Sequence, residues 1–332
     1  MFVALCLCVV SVFSVINRAS GFEISSGALN KDTRLSVKEN IDNTKKINAK
    51  TKSVNENTSA KKDSTQAIAD STEPRYAVKE VDISDGNIDY ENFSVNNSTD
   101  YSLDINELLN DDLGFEMEDS RKVQVLIVHT HTCESYMNED VGSYPQSFYP
   151  RTTDNSKNVY SVGERIEKQL KENGIGVVHA DVQHDSPSYD GAYQRSYETI
   201  SRYLEKYKGI KVVLDIHRDS MTQQDNTKLK PTFEYDGKKA AQIMIMAGYD
   251  ASGENFVTWK DNLRFALRLQ SKCESMYPGM TRPLNFGNFT YNMNVNSGSL
   301  LIEVGTDANT HEEALNSGEM IGNALSEVLQ NA

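Results

Sequence analysis

Three short stretches of this 332-residue chain carry histidines and carboxylates in a pattern suited to metal-assisted hydrolysis. They are His129-Thr130-His131-Thr132-Cys133-Glu134, Asp215-Ile216-His217-Arg218-Asp219 and Glu303-Val304-Gly305. Histidine nitrogen and carboxylate oxygen are good zinc ligands, and a catalytic zinc keeps three protein ligands with one position open for water. His131, Glu134 and His217 supply such a set, which leaves Glu303 as general base for the water. An unpaired carboxylate at a buried strand end is costly, so the alternative is a Glu303 paired with Arg218. His129 shares a face with His131 in an extended chain and is the alternative ligand. His131 is preferred because it lies further past the strand; His129 then supports the site or meets substrate. Arg218 suits two roles, orienting a substrate carboxylate or bracing the structure. The pattern is not HExxH, so a thermolysin-like peptidase is excluded. It specifies a metallohydrolase and no particular substrate.

The surrounding sequence must bring these stretches to one place. Val123 to His129 and Ile210 to Ile216 are continuous apolar runs, as expected of strands buried on both faces. Ile175 to His179 reads as a shorter strand between them. Val159, Val162, Ile166 and Leu170 recur at helical spacing, which predicts a helix over 156–173 closed by Gly174. A second helix is expected over 191–208. The alternation is βαβαβ, hence an α/β fold with a mostly parallel sheet and helices on both faces. Asp236-Gly237 marks a hairpin between 232–235 and 240–247. A long helix follows over 254–276, then a buried strand over 299–304. Thr310 and Glu313 form a capping box that opens a last helix reaching about residue 330. In open α/β sheets, sites form at the carboxyl ends of strands, and all three stretches fall at that rim. His179 and His184 lie at the same rim and read as structural. His311 reads as solvent-facing and Cys133 as a small buried filler. Cys133 and Cys273 read as free thiols, with a disulfide as the alternative.

The rest of the chain differs in character. Phe2 to Ile16 is apolar apart from Ser11 and Ser14. At 1.5 Å per helical residue it spans about 22 Å, short of the ~30 Å hydrocarbon core. It reads as a signal-peptide core or a membrane anchor, although no Lys or Arg precedes it. Residues 21–120 are dominated by Asn, Ser, Thr, Lys and Asp and are expected to be a disordered tether, with a short helix over 105–113. The expected division is therefore 1–20 anchor or signal, 21–120 linker and 121–332 catalytic domain. A formal net charge of −14 argues against nucleic-acid binding, which needs a basic face, and against adhesion to anionic lipid.

Val125 to Tyr136 (VLIVHTHTCESY), His184 to Ile200, Val212 to Ser220 (VVLDIHRDS) and Leu300 to Thr310 (LLIEVGTDANT) together strongly resemble the stage II sporulation protein P family of endospore-forming Gram-positive bacteria. The resemblance covers about 121–332. That family is similar to zinc-dependent N-acetylmuramoyl-L-alanine amidases. The resemblance implies His131 and His217 as zinc ligands and Glu303 as the catalytic carboxylate. In the amidases the middle ligand is a Glu that opens the first long helix. No Glu stands at 155–159 here, and Glu134 is the natural substitute. Cys133 stands where a small hydroxyl residue is expected. The resemblance further implies removal of stem peptides from peptidoglycan during engulfment of the forespore, possible endopeptidase action, an extracytoplasmic site tethered to the membrane, and stage II sporulation proteins D and M as partners. Two rivals stay open: a zinc peptidase acting within the stem peptide, and a wall-binding scaffold without metal.

Overall fold

The computed structural model describes residues 73–118 and 122–332. The apolar segment at 2–16 and most of the expected tether lie outside the described residues. Among the described residues no helix is long and apolar enough to cross a membrane.

Among the described residues, twelve strands and five α-helices follow one another. They are β1 (Arg75–Val81), β2 (Ile88–Tyr90), β3 (Phe93–Asn97), α1 (Ile105–Asn110), β4 (Val123–Val128), β5 (Ser143–Pro145), α2 (Val159–Glu172), β6 (Gly176–His179), α3 (Ala192–Lys206), β7 (Val212–Asp219), β8 (Lys228–Tyr235), β9 (Lys238–Ala241), β10 (Ile243–Gly248), α4 (Trp259–Met276), β11 (Leu284–Gly287), β12 (Gly298–Thr306) and α5 (His311–Leu329). An eight-stranded sheet runs β2-β3-β11-β10-β12-β7-β4-β6. Every pairing in it is parallel except β2–β3 and β10–β12. A smaller four-stranded sheet runs β5-β1-β8-β9. The mostly parallel α/β architecture read from the sequence is what the chain adopts.

Both faces of the central sheet are covered. Val125 and Ile127 of β4, with Val212, Leu214 and Ile216 of β7, pack with α2, α4 and α5 in the main core. The alternate residues Leu126, Val128 and Val213 pack with Ile200, Tyr203 and Leu204 of α3. Period-two alternation within an all-apolar strand thus divides one run between two helical layers. Helices α2 and α5 approach closely where α5 has glycines: a Cβ on Gly318 would lie 3.0 Å from the Val162 carbonyl, and one on Gly322 would lie 2.6 Å from the Gln169 Cβ. The capping box at Thr310 and Glu313 forms with both reciprocal hydrogen bonds.

One expectation is corrected. The linker does not extend to residue 120, because described residues from Arg75 onward belong to the fold. Strand β1 bridges β5 and β8, and β3 extends the central sheet beside β11. Ile105 and Leu108 of α1 are buried in the core, and Asp111 just beyond it pairs with Arg264 of α4. The polar composition misleads here because β1 is half exposed along its length and β2 has only three residues. Such half-exposed or very short strands draw their stability from the sheet they join rather than from apolar content.

Candidate active site

Strand β4 ends at Val128, and its continuation turns back on itself. The Glu134 N–H donates to the His131 carbonyl at 3.0 Å, and the Thr132 hydroxyl donates to the His129 carbonyl at 2.9 Å. This tight turn puts His131 and Glu134 at the carboxyl rim of the sheet. Beside it β7 carries Asp215 and His217, which share one strand face by their spacing of two. Next, β12 pairs Glu303 directly with His217. The topology therefore delivers all four expected residues to adjacent strands at one edge.

The geometry there is close. The His131 and His217 rings lie 5.3 Å apart and perpendicular. His217 Nδ1 is 3.5 Å from Glu134 Oε2, and His217 Nε2 is 2.9 Å from Asp215 Oδ1. Two ligand atoms on a tetrahedral zinc, each about 2.0–2.2 Å from the ion, stand about 3.3–3.5 Å apart, so Glu134 and His217 are spaced as such a pair. A buried Nδ1 on His131, a buried Nε2 on His217 and a buried Oε2 on Glu303 have no hydrogen-bond partner. Orphaned buried polar atoms call for an explanation, and an ion with its water supplies one. His131, Glu134 and His217 do not form a set of donors all within 4.8 Å; among the described residues that spacing is met by Glu80, Asp140 and Glu313. Since Glu134 and His217 are close, His131 is the residue that stands back, stacked on Tyr189 at 4.4 Å. The donor types and the free atoms fit a metal; the third donor is not drawn in.

The Glu80–Asp140–Glu313 group holds its own cation. Lys230 Nζ lies 2.8 Å from Asp140 and 2.9 Å from Glu313, and Lys239 Nζ lies 2.6 Å from Glu80. This is an ion-pair knot that ties the small sheet to the start of α5.

Electrostatics separate the two carboxylates. Burial works to raise Glu134, but the positive Arg218 and its hydrogen bond with His217 hold it well below the usual carboxylate range. Burial pushes Glu303 up to about 8; the charges of Asp219 and Glu134 add to this, and His217 opposes it. A carboxyl poised near neutrality beside an ionised one is the arrangement expected of an acid–base group next to a fixed charge. Burial lowers His131 to about 4. Burial also acts to lower His217, yet the Asp215 and Glu134 carboxylates carry it well above its ordinary value.

The other expected residues find different surroundings. His129 is fully buried and turned to the opposite face, with Nδ1 2.9 Å from the Ile216 carbonyl and Nε2 2.7 Å from His179 Nε2. Both nitrogens are engaged, so it does not stand in for His131. Arg218 is buried. Its guanidinium donates to the carbonyls of Ser135 at 3.1 Å and Pro150 at 2.8 Å, and its backbone N–H donates to Glu134 Oε2 at 3.2 Å. These contacts match the bracing role and leave no fork for a substrate carboxylate. Arg218 pairs with Glu134 rather than with Glu303. His184 is satisfied by the His129 carbonyl and Thr199. His311 is not solvent-facing: its Nε2 lies 2.6 Å from the Ser161 hydroxyl, because the start of α5 packs on α2. Cys133 and Cys273 are buried free thiols.

Three functional candidates escaped the sequence reading. Asp215 is fully buried; its Oδ1 accepts from the Thr130 N–H at 2.8 Å, and its Oδ2 accepts from the Thr130 hydroxyl at 2.6 Å. One carboxylate thus grips both the β7 histidine and the loop that bears His131 and Glu134. The signal was present, since an Asp two residues before a His on a buried strand shares its face. Tyr193 and Tyr291, stacked at 5.4 Å, cover the other side of the site, and nothing in their spacing announced this.

The fit behind the site is tight. A Cβ on Gly163 of α2 would come within 2.7 Å of His129 Nε2 and 2.8 Å of His179 Cε1. Gly163→Ala is expected to destabilise the chain by about 1–3 kcal/mol through overpacking, read as a lower midpoint of denaturant unfolding. An unchanged midpoint would mean that the buried histidine pair yields freely.

Comparison with known proteins bears on this arrangement. A curated relative, stage II sporulation protein P of Bacillus subtilis (strain 168), is 30% identical over 223 residues, 64% of this chain and 52% of the relative. The chain thus spans about half the length of the curated relative it matches. Solved structures similar to it include the N-acetylmuramoyl-L-alanine amidase AmiC2 of Nostoc punctiforme, at 12% identity, TM-score 0.36, over 64% of this chain and 97% of that one. The CwlD amidase of Clostridioides difficile, solved with the GerS lipoprotein, is similar at 10% identity and TM-score 0.36, over 63% of this chain and 100% of that one. Scores of this size set no correspondence between sites. The sequence match is more extensive: the model of the family described as stage II sporulation protein P aligns with residues 15–326, and so takes in every strand and loop that builds the rim. By that match the chain belongs to the stage II sporulation protein P family.

Proposed function

We propose that this protein is a zinc-dependent peptidoglycan hydrolase of sporulation that cleaves the amide between N-acetylmuramic acid and the L-alanine of the stem peptide. The observation that carries the proposal is the meeting of His131, Glu134 and His217 at one rim with a Glu303 whose Oε2 is buried and unpartnered. His131, Glu134 and His217 would hold the metal. Bound there, zinc supplies a Lewis acid for the amide carbonyl and an acidified water.

The chain's own residues account for the rest. Asp215 and Glu134 flank the two nitrogens of the His217 ring, Asp215 at 2.9 Å from Nε2 and Glu134 at 3.5 Å from Nδ1. Arg218 keeps Glu134 ionised and orients it through its backbone N–H. Glu303, with a pKa raised to about 8 by burial, can take a proton from water and return it to the leaving amine near neutral pH. Stacked Tyr193 and Tyr291 stand near enough to that carboxylate for its charge to act on both phenols. With this reading we place the site outside the cell membrane, tethered through 2–16, and acting with stage II sporulation proteins D and M.

Digestion of purified sacculi tests the proposal. The expected products are peptides with a free L-alanine amino terminus and intact glycan strands, with release abolished by a zinc chelator. Cuts confined to the stem peptide would replace the amidase reading with a peptidase. Sacculi that are bound but uncut, with no zinc in the protein, would leave a scaffold.

A further inference from the structure

The loop between β11 and β12 carries an unusual piece of backbone. Tyr291 and Asn292 both adopt left-handed conformations, with φ of 41° and 59°. Non-glycine residues seldom do so, and consecutive ones persist only where their surroundings impose them, often at ligand sites. The restraint is visible here. Asn292 Nδ2 donates to the Tyr193 carbonyl and to the Ser196 hydroxyl, each at 2.9 Å. Ser196 in turn lies 2.7 Å from the Thr130 hydroxyl, which bonds to Asp215. The strained loop is therefore pinned to the same carboxylate that holds His217.

This pinning sets an aromatic row along the rim. Tyr189 stacks on His131 at 4.4 Å, and Tyr193 meets His131 edge-on at 5.4 Å. Tyr291 stacks on Tyr193 at 5.4 Å and on Phe289 at 5.0 Å. Packed on both neighbours, Tyr291 still keeps 38% of its surface open. The charges along the row are uneven. Glu303 lies close enough to Tyr291 for its charge to act on the phenol. At the opposite end Arg151 lies over the Tyr189 ring at 5.1 Å.

Resting on the hydrolase reading above, we infer that Tyr291 and Phe289 form a saccharide subsite that holds the uncharged glycan strand beside the scissile amide. An N-acetylated sugar ring presents an apolar C–H face to an aromatic ring while its hydroxyls stay wet, the division that exposed tyrosines suit. The strain at Tyr291–Asn292 holds the ring ready before substrate arrives.

The test uses the full chain and short uncharged glycan strands, soluble β-1,4-linked oligomers of N-acetylglucosamine, with affinity measured by calorimetry. Without a muramoyl–alanine amide to cut, binding is read apart from hydrolysis. Tyr291→Ala is expected to weaken binding by about tenfold, and Tyr291→Phe to stay within about twofold of wild type. Tyr291→Gly relaxes the left-handed backbone; it should keep the wild-type melting temperature or exceed it and still lose the glycan. Tyr235, a comparably exposed tyrosine on the small sheet, serves as control, and Tyr235→Ala should bind as wild type. Wild-type affinity in Tyr291→Ala and Tyr291→Gly, or no binding of the strand by the wild type, overturns the subsite. A failure of sacculus digestion by the wild type strikes the hydrolase reading alone, because the strand-binding result does not depend on it.

Discussion

Glu303→Gln is expected to lower peptide release from sacculi by about 10²- to 10⁴-fold, the range of a positioned acid–base group, and at the same time to stabilise the metal-free chain at alkaline pH. Both effects come from one cause. Glu303 is half-buried, with Oε2 enclosed, next to Asp219 and Glu134, and its pKa is raised from 4.5 to about 8. Between those values the folded chain keeps a proton that the unfolded chain has released. The native state then binds more protons, so the unfolding free energy falls as pH rises through that window. Glutamine titrates nowhere, so the variant escapes the loss. Its stability advantage should be absent below about pH 4.5 and grow to a plateau above about pH 8. Denaturant unfolding with a chelator present reads the stability, and mass spectrometry of released peptides reads the activity. If Glu303→Gln digests sacculi at the wild-type rate, Glu303 is not the base. If both proteins lose stability in parallel across the window, the carboxyl is not held in the state described. The pairing of lost activity with gained stability is the trade-off expected where function requires a destabilised group.

The sequence revealed those parts of the molecule in which one physical term dominates. Strands β4 and β7 were visible because they are buried on both faces and are apolar throughout. Helix α2 was visible because Val159, Val162, Ile166 and Leu170 form one buried stripe. The last helix was visible because a capping box is a local device, complete within four residues. The strand-end rule then brought His131, His217 and Glu303 to a common rim without any measured distance. Strands β1, β2, β3 and β11 were not visible. β2, β3 and β11 are short and β1 is half exposed, and their order comes from partners far away in the chain, as when β3 pairs with β11. The same limit applies within the site. Whether His129 or His131 faces the rim depends on which way the chain turns after Val128. The structure shows His129 rotated onto α2, where the absent side chain of Gly163 makes room for it. Arg218 could be read two ways because its neighbours, the carbonyls of Ser135 and Pro150, belong to a loop whose path local residue patterns do not encode.

For the zinc site proposed above, Asp215→Asn is expected to weaken zinc binding by about 10- to 100-fold, the usual cost of removing a carboxylate that orients a metal-binding histidine. The substitution keeps the shape and one acceptor, so the Thr130 N–H can remain bonded and the fold should survive. What it removes is charge. Asp215 is fully buried, and its Oδ1 lies 2.9 Å from His217 Nε2. The negative carboxylate favours an N–H at Nε2, and this leaves Nδ1, 3.5 Å from Glu134 Oε2, as the nitrogen available to a metal. An asparagine oxygen left at that position still accepts from the Thr130 N–H but carries no charge, so it favours the N–H at Nε2 less strongly. Zinc affinity is measured by competition with a chromophoric chelator, alongside the melting temperature without metal. Tighter control comes from Asp185→Asn. Asp185 also sits behind a histidine, but at 4.0 Å from His131 Nδ1, and it accepts from the Cys133 N–H at 3.1 Å. Its contact with the ring is longer and its ties are to the loop, so its loss should lower stability more than zinc affinity. Should Asp215→Asn bind zinc as tightly as the wild type, the carboxylate is no more than a packing partner for Thr130. The metal would then have to be held without the His217 orientation seen here.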